Sequence, residues 1–237
     1  MVVQDSIKIF TQHFRQQLEV ADQLSSSALT GDPDLAQGVA MHRKILYCAM
    51  LDSLARVRYE GQKLGNRQRF VRLLRNHTAW PEGHLVSVPI LHQRLRATAP
   101  AELRSRVQEI IDTGDPNAGT RQPLSAFDQP MRDLLDLAGD DGDSQRKIEK
   151  SQHFRLVYSY RCYVVHEFRE PGYSMEFFGK GEREPLYHCY RNDPTWRLVY
   201  PADFFHRLVE EALSSLQACF TSEGIDPYDA VSDSSGW

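Results

Sequence analysis

The sequence lacks the features that mark several large classes of protein. It has 4 cysteines among 237 residues and no Cys-x-x-Cys pair, which argues against a disulfide framework or a structural zinc site. No apolar run approaches the roughly 20 residues of a membrane span, and the N-terminus lacks the apolar core of a signal peptide. We therefore expect a cytoplasmic protein with reduced thiols, no bound metal or other cofactor, and no association with a membrane.

An excess of basic residues is also missing. Lys and Arg number 28 against 32 Asp and Glu, which gives a net charge of −4 and argues against a protein that coats nucleic acid through its overall field. Locally, however, seven Lys and Arg residues lie between positions 56 and 75, where Glu60 is the one acidic residue. This stretch is either a solvated basic helix face or a surface that binds phosphates. In the second case the candidate nucleic-acid contacts are Arg67, Arg69, Arg72 and Arg75.

Apolar residues recur at helical spacing through most of the chain. The predicted helices cover about residues 3–24, 33–60, 66–76, 86–96, 101–113, 131–137, 145–170 and 201–221. Asp32 is expected to cap the second helix and Ser144 the seventh, and the first two helices are expected to pair antiparallel. Between positions 173 and 200 the pattern changes to short strands at about residues 173–178, 185–190 and 196–200, with turns at residues 179–181 and 192–194. The fold class is therefore mainly α, with a small β-hairpin or sheet before the last helix.

We expect a single helical domain over residues 1–221, followed by a flexible polar tail over residues 222–237. Residues 80–130 have a weak periodicity, and the sequence does not decide whether they are an insertion that shapes a binding surface. The acidic run from Asp140 to Asp143 does not predict a calcium loop, because it is too short and lacks a glutamate at the twelfth position.

One stretch, Phe154 to Phe168, combines an apolar helix face with two polar side chains. Arg161 falls near the middle of the apolar face, where an unpaired guanidinium would lose its hydration without gaining a partner. His166 follows five residues later and points well away from that face, and Pro171-Gly172 ends the helix. In a purely structural role, Arg161 would be the partner in a buried ion pair and His166 would form a hydrogen bond at the helix end. The alternative is that both side chains take part in a reaction.

The spacing Arg161-x4-His166 resembles the motif of the HEPN superfamily, a group of all-α domains that includes many RNA-cleaving toxins and defence proteins. The motif lies on a long late helix that is followed by a Pro-Gly break and a final amphipathic helix, as in that family. The segments 166–172 and 196–201 also resemble bacterial members that carry a small β insertion. The resemblance covers the two early helices and residues 145–221.

The resemblance implies metal-independent endonucleolytic cleavage of RNA to 2′,3′-cyclic phosphate and 5′-hydroxyl ends. His166 would be the general acid or base, since histidine ordinarily exchanges protons near neutral pH. Arg161 would stabilise charge on the phosphoryl group with a bidentate fork, and Cys162 and Glu167 would be supporting residues. Because five residues turn an ideal helix by about 140° beyond a full turn, we expect a homodimer whose cleft combines both copies. Family members also act with an antitoxin or a defence-system partner.

Two departures from the family pattern define the alternatives. Many family nucleases have a polar residue directly after the Arg, where this chain has Cys162; this favours a non-catalytic module that binds RNA, a nucleotide or a partner protein. Another branch has a tyrosine two residues after the His that is modified by its antitoxin, and Phe168 excludes that modification here. A third, weaker hypothesis is a helical scaffold that binds no ligand.

Overall fold

The computed structural model describes residues 3–27, 33–114, 120–175, 182–190 and 193–229. Within these ranges the helices are α1 (Val3–Ser27), α2 (Pro33–Tyr59), α3 (Asn66–His77), α4 (Val88–Arg94), α5 (Ala101–Thr113), α6 (Met131–Ala138), α7 (Gly142–Lys150), α8 (His153–Glu167) and α9 (Ala202–Glu223). The strands are β1 (Leu85–Val86), β2 (Arg121–Pro123), β3 (Gln129–Pro130), β4 (Leu186–Tyr190) and β5 (Asp193–Val199). The prediction of a mainly α fold with a small sheet before the last helix is confirmed.

The first of two compact units contains the described parts of Met1–Trp80, Val164–Phe168 and Ala202–Trp237. Here α2 packs against α1, α3 and α9. Arg43, in the first half of α2, pairs with Asp22 near the end of α1 at 3.3 Å and with Asp203 at the start of α9 at 2.9 Å. A second pair, Arg58–Glu223 at 2.8 Å, joins the far ends of α2 and α9, so these two helices run in the same direction. Along α1, Arg15 contacts Gln217 and Asp22 contacts His206, which comes earlier in α9. Helix α1 therefore runs opposite to both α9 and α2, and the predicted antiparallel pair is confirmed.

The apolar stripes predicted from the sequence form the core of this unit. The buried side chains include Phe10, Phe14, Leu18, Leu51, Leu54, Phe70, Leu74, Phe205, Leu208, Leu216 and Phe220. The segment that follows α9 contacts α1. The Asp226 carboxylate accepts a hydrogen bond from the Ser6 hydroxyl at 2.7 Å, and the Tyr228 ring lies 6.1 Å from that of Phe10. The tail predicted over residues 222–237 thus begins with the end of α9 and a segment in contact with α1, while residues 230–237 lie outside the described ranges.

The second unit contains the described parts of Pro81–Tyr163 and Arg169–Pro201. Its three-stranded antiparallel sheet has the order β2-β4-β5, and β1 pairs with β3 in a separate antiparallel ladder. Strand β4 confirms the strand predicted at residues 185–190, and β5 confirms the one predicted at residues 196–200 but begins at Asp193. The strand predicted from residue 173 is wrong over residues 173–175, where Ser174 forms only an isolated bridge with Leu198. The short strands β1, β2 and β3 were missed. Residues 80–130 supply all of α4, α5 and these three strands. Whether the two units form one domain, as expected from the sequence, stays a prediction.

The long helix predicted over residues 145–170 is wrong. The chain forms two helices, α7 and α8, with a junction at Ser151 and Gln152. At the junction the Ser87 N–H donates to the Ser151 carbonyl at 2.9 Å, and Gln152 forms an isolated bridge with Val86. These partners from β1 and the start of α4 take backbone groups that a continuous helix would use internally.

The ends of these two helices also differ from the prediction. Asp141, not Ser144, caps α7: its side chain accepts a hydrogen bond from the Asp143 N–H at 3.3 Å, and Ser144 donates to the same carboxylate at 2.6 Å. Helix α8 ends at Glu167 because Phe168 has a left-handed φ of 51°. Helical backbone is also disfavoured at Glu170, because that residue precedes Pro171. The predicted Asp32 cap and the turn at residues 179–181 lie outside the described residues. The turn predicted over residues 192–194 is wrong at Asp193 and Pro194, because both belong to β5.

Among the described residues, no helix is long and apolar enough to cross a membrane.

Candidate functional site

Arg161 lies at the border of the buried face of α8. The buried positions of this helix include Phe154, Leu156, Val157, Tyr160 and Val164, which form a stripe at three- and four-residue steps. The centre of this stripe is rotated from the face inferred from the sequence, so that Arg161 is half-buried rather than central. Its Nη1 donates to the Cys162 Sγ at 3.9 Å, and Cys162 is also half-buried. The guanidinium thus keeps access to solvent, which lowers the cost of its charge.

His166 and Glu167 form the exposed last turn of α8. On an ideal helix, Arg161 and His166 are about 140° apart around the axis and about 7.5 Å apart along it. Phe168 follows with 67% of its surface exposed, so it does not continue the apolar face on which the sequence placed it. The helix end therefore presents an imidazole, a carboxylate and an aromatic ring to solvent.

A cluster of arginine and tyrosine side chains lies beside Ser159, Cys162 and Tyr163 of α8 in the second unit. The Arg169 guanidinium lies 4.6 Å from the centre of the Tyr163 ring, and the Arg94 guanidinium lies 5.5 Å from that of Tyr173. Burial raises the pKa of Tyr173 to about 12, although a Ser159 hydrogen bond and the charge of Arg94 oppose the rise. Sequence analysis missed this cluster, because Arg94 and Tyr173 are far from the motif in the chain.

The basic stretch predicted from the sequence lies on α2, α3 and their connection. Helix α3 buries Phe70, Leu73, Leu74 and His77 on one side, and Arg67, Arg72 and Arg75 are exposed on the other. Arg69 is half-buried and pairs with Glu60 at 3.1 Å. Within the same unit, the bidentate Arg58–Glu223 pair neutralises another of the seven cations. The exposed cations of the stretch are therefore Arg56, Lys63, Arg67, Arg72 and Arg75, of which Arg56 also lies 3.6 Å from Glu60.

A fully buried polar network lies in the second unit and was not predicted. The Asp128 carboxylate contacts His153 Nε2 at 2.6 Å and accepts a hydrogen bond from the Tyr187 hydroxyl. His153 Nδ1 lies 3.0 Å from the Tyr200 hydroxyl, and the hydroxyls of Tyr187 and Ser87 are 2.7 Å apart. Burial and the neighbouring Asp128 charge raise the pKa of Tyr187 well above its ordinary value. The five residues are far apart in the sequence, so no local sequence pattern predicts the network.

The network joins elements rather than lining an opening. Ser87 caps α4, Asp128 precedes β3, His153 begins α8, and Tyr187 lies in β4. Its Asp–His pair resembles part of a catalytic relay, but each of its five side chains belongs to a residue that is less than a tenth exposed. We therefore assign it to stability and not to catalysis.

A cleft of about 870 Å³ lies between α4 and α5 in the second unit. Its lining includes His92, Arg96, Arg104, Glu109 and Asp112, so it carries both signs of charge. It contains none of the residues predicted from the motif or the basic stretch. In the described part of the chain, no group of three or more His, Cys, Asp or Glu side chains is arranged to hold a metal ion.

Neither a family model, nor a curated protein, nor a solved structure was found to match this chain. The resemblance to the HEPN superfamily accordingly rests on the Arg161–His166 motif and its position in the order of elements.

Proposed function

We propose that the protein is an endoribonuclease of the HEPN type that cleaves RNA without a metal ion. The observation that carries the proposal is the placement of the motif on α8: His166 in an exposed last turn and Arg161 half-buried on the same helix. An exposed imidazole can reach a substrate and exchange protons with it. The half-buried guanidinium can meet a phosphoryl group with two parallel N–H groups.

The reaction class follows from the chemistry of RNA. One His166 accepts the proton of the ribose 2′-hydroxyl, and the 2′-oxygen attacks the adjacent phosphorus. The bond from phosphorus to the 5′-oxygen breaks, and that oxygen takes the proton from the same His166 imidazole, which became protonated in the first step. Arg161 stabilises the negative charge that develops on the phosphoryl oxygens. The products are a 2′,3′-cyclic phosphate and a 5′-hydroxyl.

A homodimer supplies the second half of this site. Because Arg161 and His166 point about 140° apart on one helix, a single copy does not aim both side chains at one phosphate. In a twofold dimer the same patch meets itself, so an Arg161 and a His166 from different copies can face one cleft. The exposed residues Arg67, Arg72 and Arg75 of α3 would hold the RNA backbone through their charge.

The test is cleavage of labelled single-stranded RNA and transfer RNA in buffer with EDTA, with wild type and His166→Ala side by side. We expect the wild type to release 2′,3′-cyclic phosphate ends and His166→Ala to lose at least about 100-fold in rate, the ordinary size of a general acid–base contribution. Because His166 is exposed, its substitution should leave the circular dichroism spectrum and the midpoint of unfolding unchanged. Equal activity of the two proteins, or activity that EDTA abolishes, would overturn the proposal.

A second candidate function is supported by the contact between Arg161 and Cys162. A thiol is a weaker hydrogen-bond partner than an amide or carboxylate, so a non-catalytic module that binds RNA or a partner protein would fit this residue. Cys162→Asn distinguishes the two functions. A gain of cleavage from no activity would assign the natural chain to the binding class, whereas cleavage by the wild type assigns it to the nucleases.

A further inference from the structure

The cleft between α4 and α5 has positive and negative side chains at opposite ends. The residues of α5 that line it include Arg104, Gln108 and Asp112, which follow one another at steps of four and therefore share one face of the helix. Eight residues separate Arg104 from Asp112, which corresponds to about 12 Å along the axis of an ideal helix. The cleft thus has a basic end and an acidic end on a single helix.

The basic end contains two guanidinium groups. Arg96 and Arg104 are drawn together at Ala99, whose N–H donates to the Arg96 carbonyl at 3.0 Å and whose carbonyl accepts from Arg104 Nε at 3.1 Å. Asp143 senses the charge of Arg96, but its carboxylate is held by Lys147 at 2.6 Å. Among the described residues, neither arginine forms an ion pair, and the terminal nitrogens of Arg104 have no acceptor. This end can therefore bind an anion with several N–H groups.

The acidic end is held by a chain of hydrogen bonds. Gln108 Nε2 donates to Asp112 Oδ1 at 2.7 Å, so its Oε1 is the atom that accepts from His92 Nε2 at 3.1 Å. The chain joins α4 to α5 and orients the Asp112 carboxylate. Glu109, which also lines the cleft, is paired with Arg106 at 2.8 Å. Within the described ranges no cation pairs with Asp112, so this carboxylate can receive one from a ligand.

We propose that the cleft binds a short linear zwitterion, a peptide of three or four residues with free ends. Its carboxylate lies at Arg96 and Arg104, and its ammonium group lies at Asp112. A fully extended chain covers at most about 3.3–3.6 Å per residue, so three or four residues span about 10–14 Å, as the spacing of the two ends requires. The volume of about 870 Å³ is that of a pocket for a small molecule. The proposal goes beyond the nuclease activity and uses none of its residues.

Charge complementarity favours a zwitterion over an ion of one sign. A small anion such as inorganic phosphate meets the two arginines but leaves Asp112 without a cation. A small amine leaves both arginines without an anion. The two ends are separated by more than the Debye length of about 8 Å at physiological salt, so each end binds its own group. A ligand that carries both charges at this separation satisfies both ends at once.

The test is a titration of the 15N-labelled full chain with tetra-alanine, followed by backbone amide chemical shifts. We expect saturable shifts confined to residues 92–97 and 101–113, and two charge-assisted contacts predict a Kd of about 1 mM or lower. The N-acetylated and C-amidated peptides each lack one charge and should bind at least about 10-fold more weakly. Di-alanine is too short to reach both ends and should lose a similar factor.

Two substitutions assign the ends of the peptide. Arg104→Gln should weaken binding of tetra-alanine about 10-fold but leave the affinity for the amidated peptide unchanged. Asp112→Asn, which keeps an oxygen to accept from Gln108, should weaken the free peptide by a similar factor and leave the acetylated one unchanged. The matched controls are Arg132→Gln and Glu102→Gln, which remove the same charges from exposed positions outside the cleft. Both controls should bind like the wild type.

Several results would overturn the proposal. They are the absence of saturable shifts, shifts outside the two segments, and equal affinity for the free and the blocked peptides. Inorganic phosphate that binds the same residues as tightly as tetra-alanine would define an anion site instead. Control variants that weaken binding as much as the cleft variants would show a general effect of charge. Since neither Arg161 nor His166 lines the cleft, each of these results leaves the nuclease proposal standing.

Discussion

Phe168 combines two unfavourable features at a single position. Its φ of 51° is one that L-residues other than asparagine and aspartate rarely adopt, and its side chain is 67% exposed. Helices commonly place glycine at such a position, directly after the last helical residue. A bulky aromatic in its place, two residues after His166, is the kind of local strain that concentrates at functional sites.

Replacing Phe168 by glycine should therefore stabilise the fold. The left-handed backbone costs an L-residue about 1–2 kcal/mol, which glycine avoids. Glycine also loses more conformational entropy on folding, which offsets about 0.5–1 kcal/mol of this gain. We expect the free energy of unfolding from urea titration to rise by about 0.5–1 kcal/mol. Phe168→Ala is the matched control, because alanine also loses the ring but keeps the penalty. An alanine variant at least as stable as the glycine variant would contradict this reading.

His77 is a second residue whose surroundings have a measurable consequence. It is buried on α3, and its Nδ1 lies 2.9 Å from the Ser215 hydroxyl of α9. Burial and the positive charge of Arg58 lower the pKa of the imidazole, and Glu223 opposes this only in part. The folded protein therefore takes up this proton at a lower pH than the unfolded chain does.

The free energy of unfolding should fall as the pH is lowered below about 6.5, the ordinary value for histidine. The unfolded state binds the proton first in this range, so acid favours it, with a slope of at most about 1.4 kcal/mol per pH unit until the folded pKa is passed. Above pH 7 the contribution is constant. Urea titrations from pH 5 to 7.5 measure the effect as the difference between wild type and His77→Gln. Parallel curves for the two proteins would show that His77 does not contribute.

At the scale of secondary structure, the Asp128 network holds the start of α8 in place. His153 is the first residue of that helix and contacts the Asp128 carboxylate, from the segment before β3, and the hydroxyl of Tyr200, which directly follows β5. A buried carboxylate that loses one of its hydrogen-bond partners has neither water nor a replacement. The network thus fixes the helix that carries Arg161.

His153→Ala should lower the free energy of unfolding by about 3–5 kcal/mol, because it leaves the Asp128 charge buried without the imidazole. Tyr187→Phe removes one neutral hydroxyl from the same carboxylate and should cost less, about 1–3 kcal/mol. Urea or thermal unfolding of both variants gives the comparison. If His153→Ala were no more harmful than Tyr187→Phe, the Asp128–His153 contact would not be the centre of the network.

The elements differ in how far the sequence could predict them. Helices α1, α5 and α9 follow from apolar residues that recur every three or four positions, since that spacing puts them on one buried face. The junction at Ser151 and Gln152 could not be predicted, because its cause is hydrogen bonding with Val86 and Ser87, more than 60 residues away. Strand β2 was missed for the same reason: three residues have no period, and pairing with β4 defines them.

The candidate site was predictable only in its local part. The motif itself, and its place on a helix, follow from residues 161 and 166 and the spacing around them. Cation–aromatic contacts such as Arg94 with Tyr173 join segments distant in sequence, so no motif contains them. Glu223 likewise neutralises Arg58 of the basic stretch only because α9 packs beside α2, which the sequence does not predict.

At the scale of the whole molecule, the central claim is that two copies of the chain build one active site. The described residues divide into a helical unit that includes His166 and a mixed unit that includes Arg161. The claim requires that an Arg161 of one copy act with a His166 of another. Each single substitution, Arg161→Ala or His166→Ala, should abolish cleavage in a homodimer of that variant.

The most direct test mixes the two inactive variants, co-expressed with different tags so that the mixed dimer can be purified. A mixed dimer retains one intact Arg161 and one intact His166, on different copies. With EDTA present, we expect it to cleave RNA at about half the wild-type rate, because one of two symmetric sites is restored. A mixed dimer as inactive as its parents, alongside an active wild type, would contradict a site built from two copies.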